Sequence, residues 1–302
     1  MSRLFEIQDL SDNLPETFKL RSDSPANFKL LRLITGNVRI TNLDTSVPTD
    51  INENYLSFYY NFDESIRYED NICQILNESI DPEDLDNFFN NVRFKRKNEN
   101  FFNRLENEFC NFLTYQEKGS YTTAFIFIYR ILEVISFSFP LIYASKTYDF
   151  KHTYAELKNM FNSNNGKQNG ELGFLKSAIK VMFDSSDLYE TSIDFELSDE
   201  LDKNEKLYKA VQSIWKENLF HEDTIPNSKI SISFGDVSSF IVTIRNRFFH
   251  LLNRGDKNLE SIEIIDPDYF FSKLNRPLFS WVCVIYIEIN KFLLEEFEKY
   301  VK

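Results

Sequence analysis

The sequence predicts a mainly α-helical protein, in which a helical bundle over residues 116–302 follows a smaller α+β domain over residues 1–115. The 302 residues include 31 Phe and 15 Tyr but only 7 Gly and 8 Pro. Large apolar side chains are therefore plentiful and chain-breaking residues few, which favours helices. Apolar residues recur at spacings of three and four along most of the second half, whereas the first ~60 residues mix β-branched and aromatic residues with turn signals.

The N-terminal domain is expected to contain a small sheet. Residues 27–44 and 52–62 carry β-branched and aromatic side chains, with turn signals at Thr35-Gly36 and Val47-Pro48. The polar stretch that joins them, residues 41–54, is expected to form a loop. The role of this domain is left open.

Helical patterns begin at Asp81-Pro82, where a proline and an acidic first turn are typical of a helix N-terminus. The amphipathic helix that follows is preceded by a basic run, which could contact phosphates. The alternative is that the run is an ordinary solvated face. The basic residues are Arg93, Lys95, Arg96 and Lys97.

One apolar stretch, Ala124–Tyr143, has about the length of a membrane span. It contains Arg130 and Glu133, which could pair along one helix of a soluble bundle but would be costly within a bilayer. We therefore expect a buried helix of a cytoplasmic protein and no membrane contact. Three widely spaced cysteines and the absence of an apolar segment after the first basic residue agree with a reducing compartment.

The formal net charge of −13 argues against a general nucleic-acid binder, so any contact with RNA would need a local basic patch. Acidic residues are concentrated at 184–205, where we expect an insertion that is mobile or faces a partner, and not a core element. The spacing of these carboxylates matches no calcium loop, and we expect neither a metal nor another cofactor.

The stretch IRNRFFHLL, residues 244–252, places a histidine among arginines on a predicted helix that starts after Asp236. On a helical wheel with 100° per residue, Arg245 falls inside the arc of apolar residues, about 140° from His250. A buried guanidinium needs a partner, for which we nominate Glu133; alternatively, this part of the arc is a subunit interface. The predicted polar stripe comprises Thr243, Asn246, Arg247, His250, Asn253 and Arg254.

The string R-N-x-x-x-H, formed by Arg245, Asn246 and His250, resembles the signature of the HEPN superfamily. The string YRILE, residues 129–133, is similar to an early helix of some HEPN proteins. The resemblance covers the helical C-terminal region and implies a bundle of four or five helices with the motif on a late helix. Many members are ribonucleases of antiviral defence or toxin–antitoxin systems.

The resemblance also implies a chemistry without metal, in which the 2′-hydroxyl of RNA attacks the adjacent phosphate and leaves 2′,3′-cyclic phosphate and 5′-hydroxyl ends. His250 would be the general acid/base, Arg245 the phosphate stabiliser and Asn246 an orienting group. Arg247, Glu133 and Arg130 would support the site, and Arg254 would join the basic run in binding RNA.

In this family the cleft is composite, so we expect a homodimer through the motif helix that brings Arg245 and His250 of two subunits together. A regulatory partner could bind the N-terminal domain or the acidic insertion. The function expected is a metal-independent endoribonuclease of the defence or toxin type. The alternatives are a non-catalytic HEPN-like interaction module and a membrane effector that uses residues 124–143.

Overall fold

The computed structural model describes residues 4–11, 13–91, 98–146, 149–161, 171–183, 186–198, 200–250 and 257–301. These residues are mostly helical, which confirms the mainly α class, and two small antiparallel sheets accompany the helices. The chain divides into two compact units: Met1–Lys118 with Val282–Lys302, and Gly119–Trp281. The domains predicted from the sequence meet at residue 115 and place 282–302 in the second.

The first unit contains a three-stranded sheet in the order β1-β2-β3, with both neighbouring pairs antiparallel. Its strands are β1 (Phe5–Asp9), β2 (Val38–Asn42) and β3 (Pro48–Ile51). Its helices are α1 (Ala26–Thr35), α2 (Tyr68–Leu76), α3 (Pro82–Asn90) and α4 (Glu99–Glu117). The predicted start of α3 is confirmed, because the Asp81 side chain accepts hydrogen bonds from the backbone N–H groups of Glu83 and Asp84, and Pro82 opens the helix.

The small sheet is present, but three segments around it differ from the expectation. Residues 26–35 form a helix and not a strand, and residues 55–58 form a short 3-10 turn. The helix α1 is buried at nearly every position, so it lacks the polar face that would have given a helical period. Residues 48–51, expected in a loop, form strand β3 because Thr49 and Ile51 alternate into the core.

The second unit carries the helices that hold the predicted motif, together with a two-stranded antiparallel sheet. Its strands are β4 (Ser192–Glu196) and β5 (Lys229–Ser233). Its helices are α5 (Tyr121–Ile135), α6 (Ser138–Lys146), α7 (Phe150–Phe161), α8 (Glu171–Phe183), α9 (Leu201–Ile214) and α10 (Val237–Phe249), and α11 (Pro267–Val301) begins in this unit.

The expectation that the acidic segment 184–205 would stay out of the core was wrong. Its residues 192–196 form β4, in which Ile193 and Phe195 are fully buried while the acidic side chains alternate to the other face. Asp194 accepts hydrogen bonds from Lys229 Nζ and Ser231 Oγ, each at 2.6 Å. The apolar residues between the acids therefore build a strand, which outweighs the density of charge.

The apolar stretch 124–143 forms two helices, α5 and α6, which are separated at Ser136-Phe137. By length and composition alone, the helical stretches Tyr121–Lys146 and Pro267–Tyr300 could cross a membrane, a test that core helices of soluble proteins also pass. Within the most apolar 18 residues of each stretch, 50% of the first and 78% of the second are buried inside the protein. The chain is thus compatible with a soluble protein.

Candidate functional site

Helix α10 is held by an apolar face directed into the second unit. Val237, Phe240, Ile241 and Ile244 are fully buried, and α10 packs against α5, α8 and α9. Asp236 stands at the N-cap position as predicted, but its side chain makes no capping hydrogen bond and instead pairs with Lys176 Nζ at 2.8 Å. This packing fixes the motif helix beside α5.

An aromatic cluster anchors the C-terminal end of α10. The Phe249 ring stacks on Phe125 of α5 with the centroids 6.3 Å apart, and Phe248 meets Phe271 of α11 edge-on at 5.2 Å. Phe125 and Phe271 are themselves 4.6 Å apart and fully buried. The two consecutive phenylalanines of the motif thus determine where the helix end lies relative to α5 and α11.

Arg245 extends from α10 to α5. Its Cζ lies 4.6 Å from the centroid of the Tyr129 ring, and its Nη1 donates a hydrogen bond to Asn246 Oδ1 at 2.9 Å. The residue is half-buried, so the aromatic face and the amide replace part of the lost hydration of the guanidinium. Glu133 is exposed on α5, and among the described residues Arg245 contacts Tyr129, Asn246 and His250 and makes no ion pair with Glu133, so the predicted partner was wrong.

His250 is in contact with Arg245 of the same chain. The helix ends at Phe249, and His250 takes an extended conformation with φ −116° and ψ 90°. The exposed imidazole therefore leaves the position that a continued helix would give it, and its Nε2 contacts Nη1 of Arg245. The predicted 140° separation of these side chains was wrong, because it assumed that the helix continued through His250.

The contact between Arg245 and His250 has one chemically consistent direction. A guanidinium has donors and no acceptor, so Nη1 of Arg245 donates and a neutral imidazole accepts through Nε2. Arg245, Asn246 and His250 thus form one cluster at the surface of a single chain. The cluster presents a fixed cation beside a nitrogen that can accept a proton, which is the pair that cleavage of a phosphodiester needs.

The residues predicted to support the site lie apart from these contacts. Arg130 is exposed on α5, with its Cζ 5.9 Å from the Phe127 ring, and Glu133 is exposed one turn later. Arg247 is half-buried, and its carbonyl accepts a hydrogen bond from the N–H of Leu259 at 3.0 Å. The predicted RNA-binding residues lie outside the described residues: Arg93, Lys95, Arg96, Lys97 and Arg254.

Tyr129 belongs to the string YRILE, and the sequence predicted no role for it. In the structure its ring is the surface on which the Arg245 guanidinium rests. The helical wheel places the motif arginine in the apolar arc, and the early helix carries an aromatic residue. These two observations together could have identified Tyr129.

Other reactive side chains of the described residues are placed for structural roles. Burial raises the pKa of the Cys73 thiol to about 12 and raises the pKa of the fully buried Cys110 and Cys283 well above the usual range, so these thiols stay protonated. His221 Nδ1 lies 3.2 Å from an oxygen of Asp223. No three His, Cys, Asp or Glu side chains within the described ranges form a group that could hold a metal ion.

Neither a family model, nor a curated protein, nor a solved structure matches this chain. The features of this chain that bear on its function are therefore the geometry of the cluster and the motif that it contains.

Proposed function

We propose that this protein is a metal-independent endoribonuclease of the HEPN type, active in cellular defence or as a toxin. The observation that supports this most is the contact of Arg245 Nη1 with His250 Nε2 at the exposed end of α10. A random Arg and His five residues apart would point to different sides of a helix. Here the end of the helix brings the two groups together where a polymer can reach them.

The chemistry would start when an RNA phosphate takes the place of the imidazole at the guanidinium, because the charged oxygens are the stronger acceptors. His250 Nε2 is then free to accept the proton of the 2′-hydroxyl. As O2′ bonds to phosphorus, the bond from phosphorus to O5′ breaks, and a proton delivered to O5′ completes the 5′-hydroxyl. Arg245 neutralises the charge that builds up on the phosphate oxygens, and Asn246 holds Arg245 in place.

A homodimer remains part of the proposed mechanism, but for a different reason from the one expected from the sequence. A second copy is no longer needed to bring Arg245 to His250, because one chain does so. In an in-line displacement, however, O2′ and O5′ lie on opposite sides of phosphorus. A second copy that meets the first through α10 would supply another His250 to protonate O5′.

Cleavage of a synthetic oligoribonucleotide in the presence of EDTA tests the proposal. Wild-type protein should give 2′,3′-cyclic phosphate ends, which mass spectrometry of the fragments identifies. His250→Ala should slow cleavage by about 10²–10⁴-fold, as expected for loss of general acid–base catalysis. Arg245→Ala should slow it by about 10²–10³-fold, since a stabilising donor is lost.

The matched control is His152→Ala, which removes another exposed imidazole from a different helix and should leave the rate unchanged. An oligonucleotide with 2′-deoxyribose at each position should not be cut. Cleavage that persists in both motif variants, or cleavage of the deoxy substrate, would contradict the assignment of the site.

The second candidate is a non-catalytic interaction module, and the position of Arg245 between α5 and α10 favours it. In this case the contacts with Tyr129, Asn246 and His250 hold the bundle together. Arg245→Ala should then lower the melting temperature strongly while the wild type leaves RNA intact and does not arrest growth when expressed. Under the ribonuclease proposal, induced expression of the wild type arrests growth and His250→Ala relieves the arrest.

A further inference from the structure

The second unit has an exposed apolar groove, formed by residues that are distant in sequence from the motif. It has a volume of about 410 Å³ and is lined by side chains of α6, α7 and α8 and of the two residues that precede α6. Phe137, Leu141 and Phe161 line it while remaining 49%, 65% and 53% exposed. Phe161 also stacks on Phe174 with the ring centroids 4.2 Å apart, which keeps the α7 and α8 walls together.

Helix α7 extends this apolar surface beyond the groove. Phe150 is 87% exposed and Tyr154 69% exposed, and on a helical wheel they fall with Leu157 and Phe161 within an arc of about 60°. Thr153 and Met160 are the buried residues of the same helix. An exposed apolar stripe therefore runs along α7 next to its buried side.

Basic side chains follow the outer edge of this stripe. Lys151 and Lys158 are exposed and lie about 40–60° beyond Tyr154 on the wheel. Lys146 is exposed at the end of α6. Residues 119–183 carry seven Lys and Arg against four Asp and Glu, whereas the whole chain carries 34 against 47. The apolar surface therefore lies in a locally basic part of an acidic protein.

We propose that this surface docks on an anionic lipid bilayer. We call it the lysine-edged face, and it consists of Phe137, Leu141, Phe150, Tyr154 and Phe161 with Lys146, Lys151 and Lys158. A helix that lies in a membrane interface has this pattern: large apolar residues enter the acyl boundary, and long lysine side chains beside them reach the headgroups. The charge of the edge selects anionic headgroups.

The docking proposed is peripheral and differs from the span considered for residues 124–143. In α5 the apolar residues Phe125, Ile128 and Ile131 are fully buried in the protein, so they are not available to lipid. The lysine-edged face lies on α6, on Phe137 just before it, and on α7, where the apolar side chains are exposed. The proposal also departs from the expectation of no membrane contact, and it is independent of RNA cleavage.

Flotation of the full-length protein with vesicles tests the proposal. The protein should float with vesicles of phosphatidylcholine and phosphatidylglycerol in equal amounts, and poorly with phosphatidylcholine alone. The double variant Leu141→Asp/Phe150→Asp should reduce the bound fraction by about tenfold or more, because two charges would enter the apolar boundary. The variant Lys151→Glu/Lys158→Glu should reduce binding to the anionic vesicles.

The control is Leu201→Asp, which changes another exposed leucine, 83% accessible, at the start of α9 between two acidic residues. It should float like the wild type, as should His250→Ala, so that loss of catalysis and loss of docking are distinguishable. All these positions are exposed, and circular dichroism verifies that each variant is folded.

Three outcomes overturn the proposal. The first is a protein that does not float with anionic vesicles. The second is flotation that the Lys→Glu variant leaves unchanged. The third is concentration-dependent self-association, measured by light scattering, that Leu141→Asp/Phe150→Asp abolishes while the protein does not float; the face would then be covered by a second copy.

Discussion

Tyr129 contributes to the site through its aromatic ring. Its ring lies under Arg245 at 4.6 Å, and an interaction of this kind is worth about 0.5–1 kcal/mol at an exposed site. We expect Tyr129→Leu to slow RNA cleavage about two- to fivefold, which is the rate equivalent of that free energy. Tyr129→Phe keeps the ring and should retain the rate. Equal rates for Leu and Phe would show that the ring does not position the cation.

His250 shows how far the sequence could predict the site. The motif residues Arg245, Asn246 and His250 were identified from their spacing, but their relative positions were not. The wheel assumed a helix through Arg254, whereas the helix ends at Phe249 and the next residue is extended. Where a helix ends depends on what packs against its last turn, here Phe125 and Phe271, and a single helix pattern does not contain that information.

Strand β4 contributes one large apolar side chain to the core. Phe195 is fully buried between two acidic neighbours. Phe195→Ala should lower the free energy of unfolding by about 3–5 kcal/mol, because the change removes a large side chain and leaves a cavity. Glu196→Gln, at the exposed end of the same strand, should cost less than about 0.5 kcal/mol. Chemical denaturation measures both, and a similar small loss in each would mean that β4 does not belong to the core.

The pairing of β4 with β5 should also depend on pH. Burial tends to raise the pKa of Asp194, but hydrogen bonds from Lys229 and Ser231 outweigh it and lower the pKa below 3.8. A lowered carboxyl pKa stabilises the folded state above the pKa of the unfolded chain and ceases to do so as the pH falls through the folded value. Asp194→Asn should therefore be less stable than the wild type near neutral pH, and the difference should shrink as the pH falls through the lowered pKa of the Asp194 carboxyl. A difference that persists in acid would exclude this carboxylate as its source.

The elements around the first sheet show which patterns a sequence can reveal. The start of α3 was predicted because Asp81 and Pro82 are local signals whose hydrogen bonds lie within a few residues. Helix α1 was taken for a strand because it is buried on almost every side, and a continuous apolar run does not distinguish a buried helix from a strand. Strand β3 was taken for a loop because its pairing partner, β2, is a tertiary contact and not a local pattern.

The last helix belongs to two units of the molecule. Helix α11 begins at Pro267 in the second unit, and Val282–Lys302 belongs to the first. A sequence pattern indicates one long apolar helix here, but it cannot indicate which part of the chain each turn contacts. The assignment depends on pairs such as Asn27 Nδ2 with Asn290 Oδ1, at 2.7 Å, which are more than two hundred residues apart in sequence.

This division predicts that residues 1–118 need residues 282–302 in order to fold. The hydroxyl of Tyr286 donates a hydrogen bond to the carbonyl oxygen of Asn27 at 2.5 Å, and its ring meets Phe109 at 6.3 Å. Phe297 packs on Phe88 at 5.6 Å. Without these side chains, the first unit would expose the apolar surface that they cover.

We expect residues 1–118 alone to lack a cooperative thermal transition, and a peptide of residues 282–302 to restore one when it is added. A Tyr286→Ala peptide should restore it less well than a Lys299→Gln peptide, whose change lies on an exposed surface pair. A cooperative transition of residues 1–118 without the peptide would mean that the first unit is complete without the end of α11.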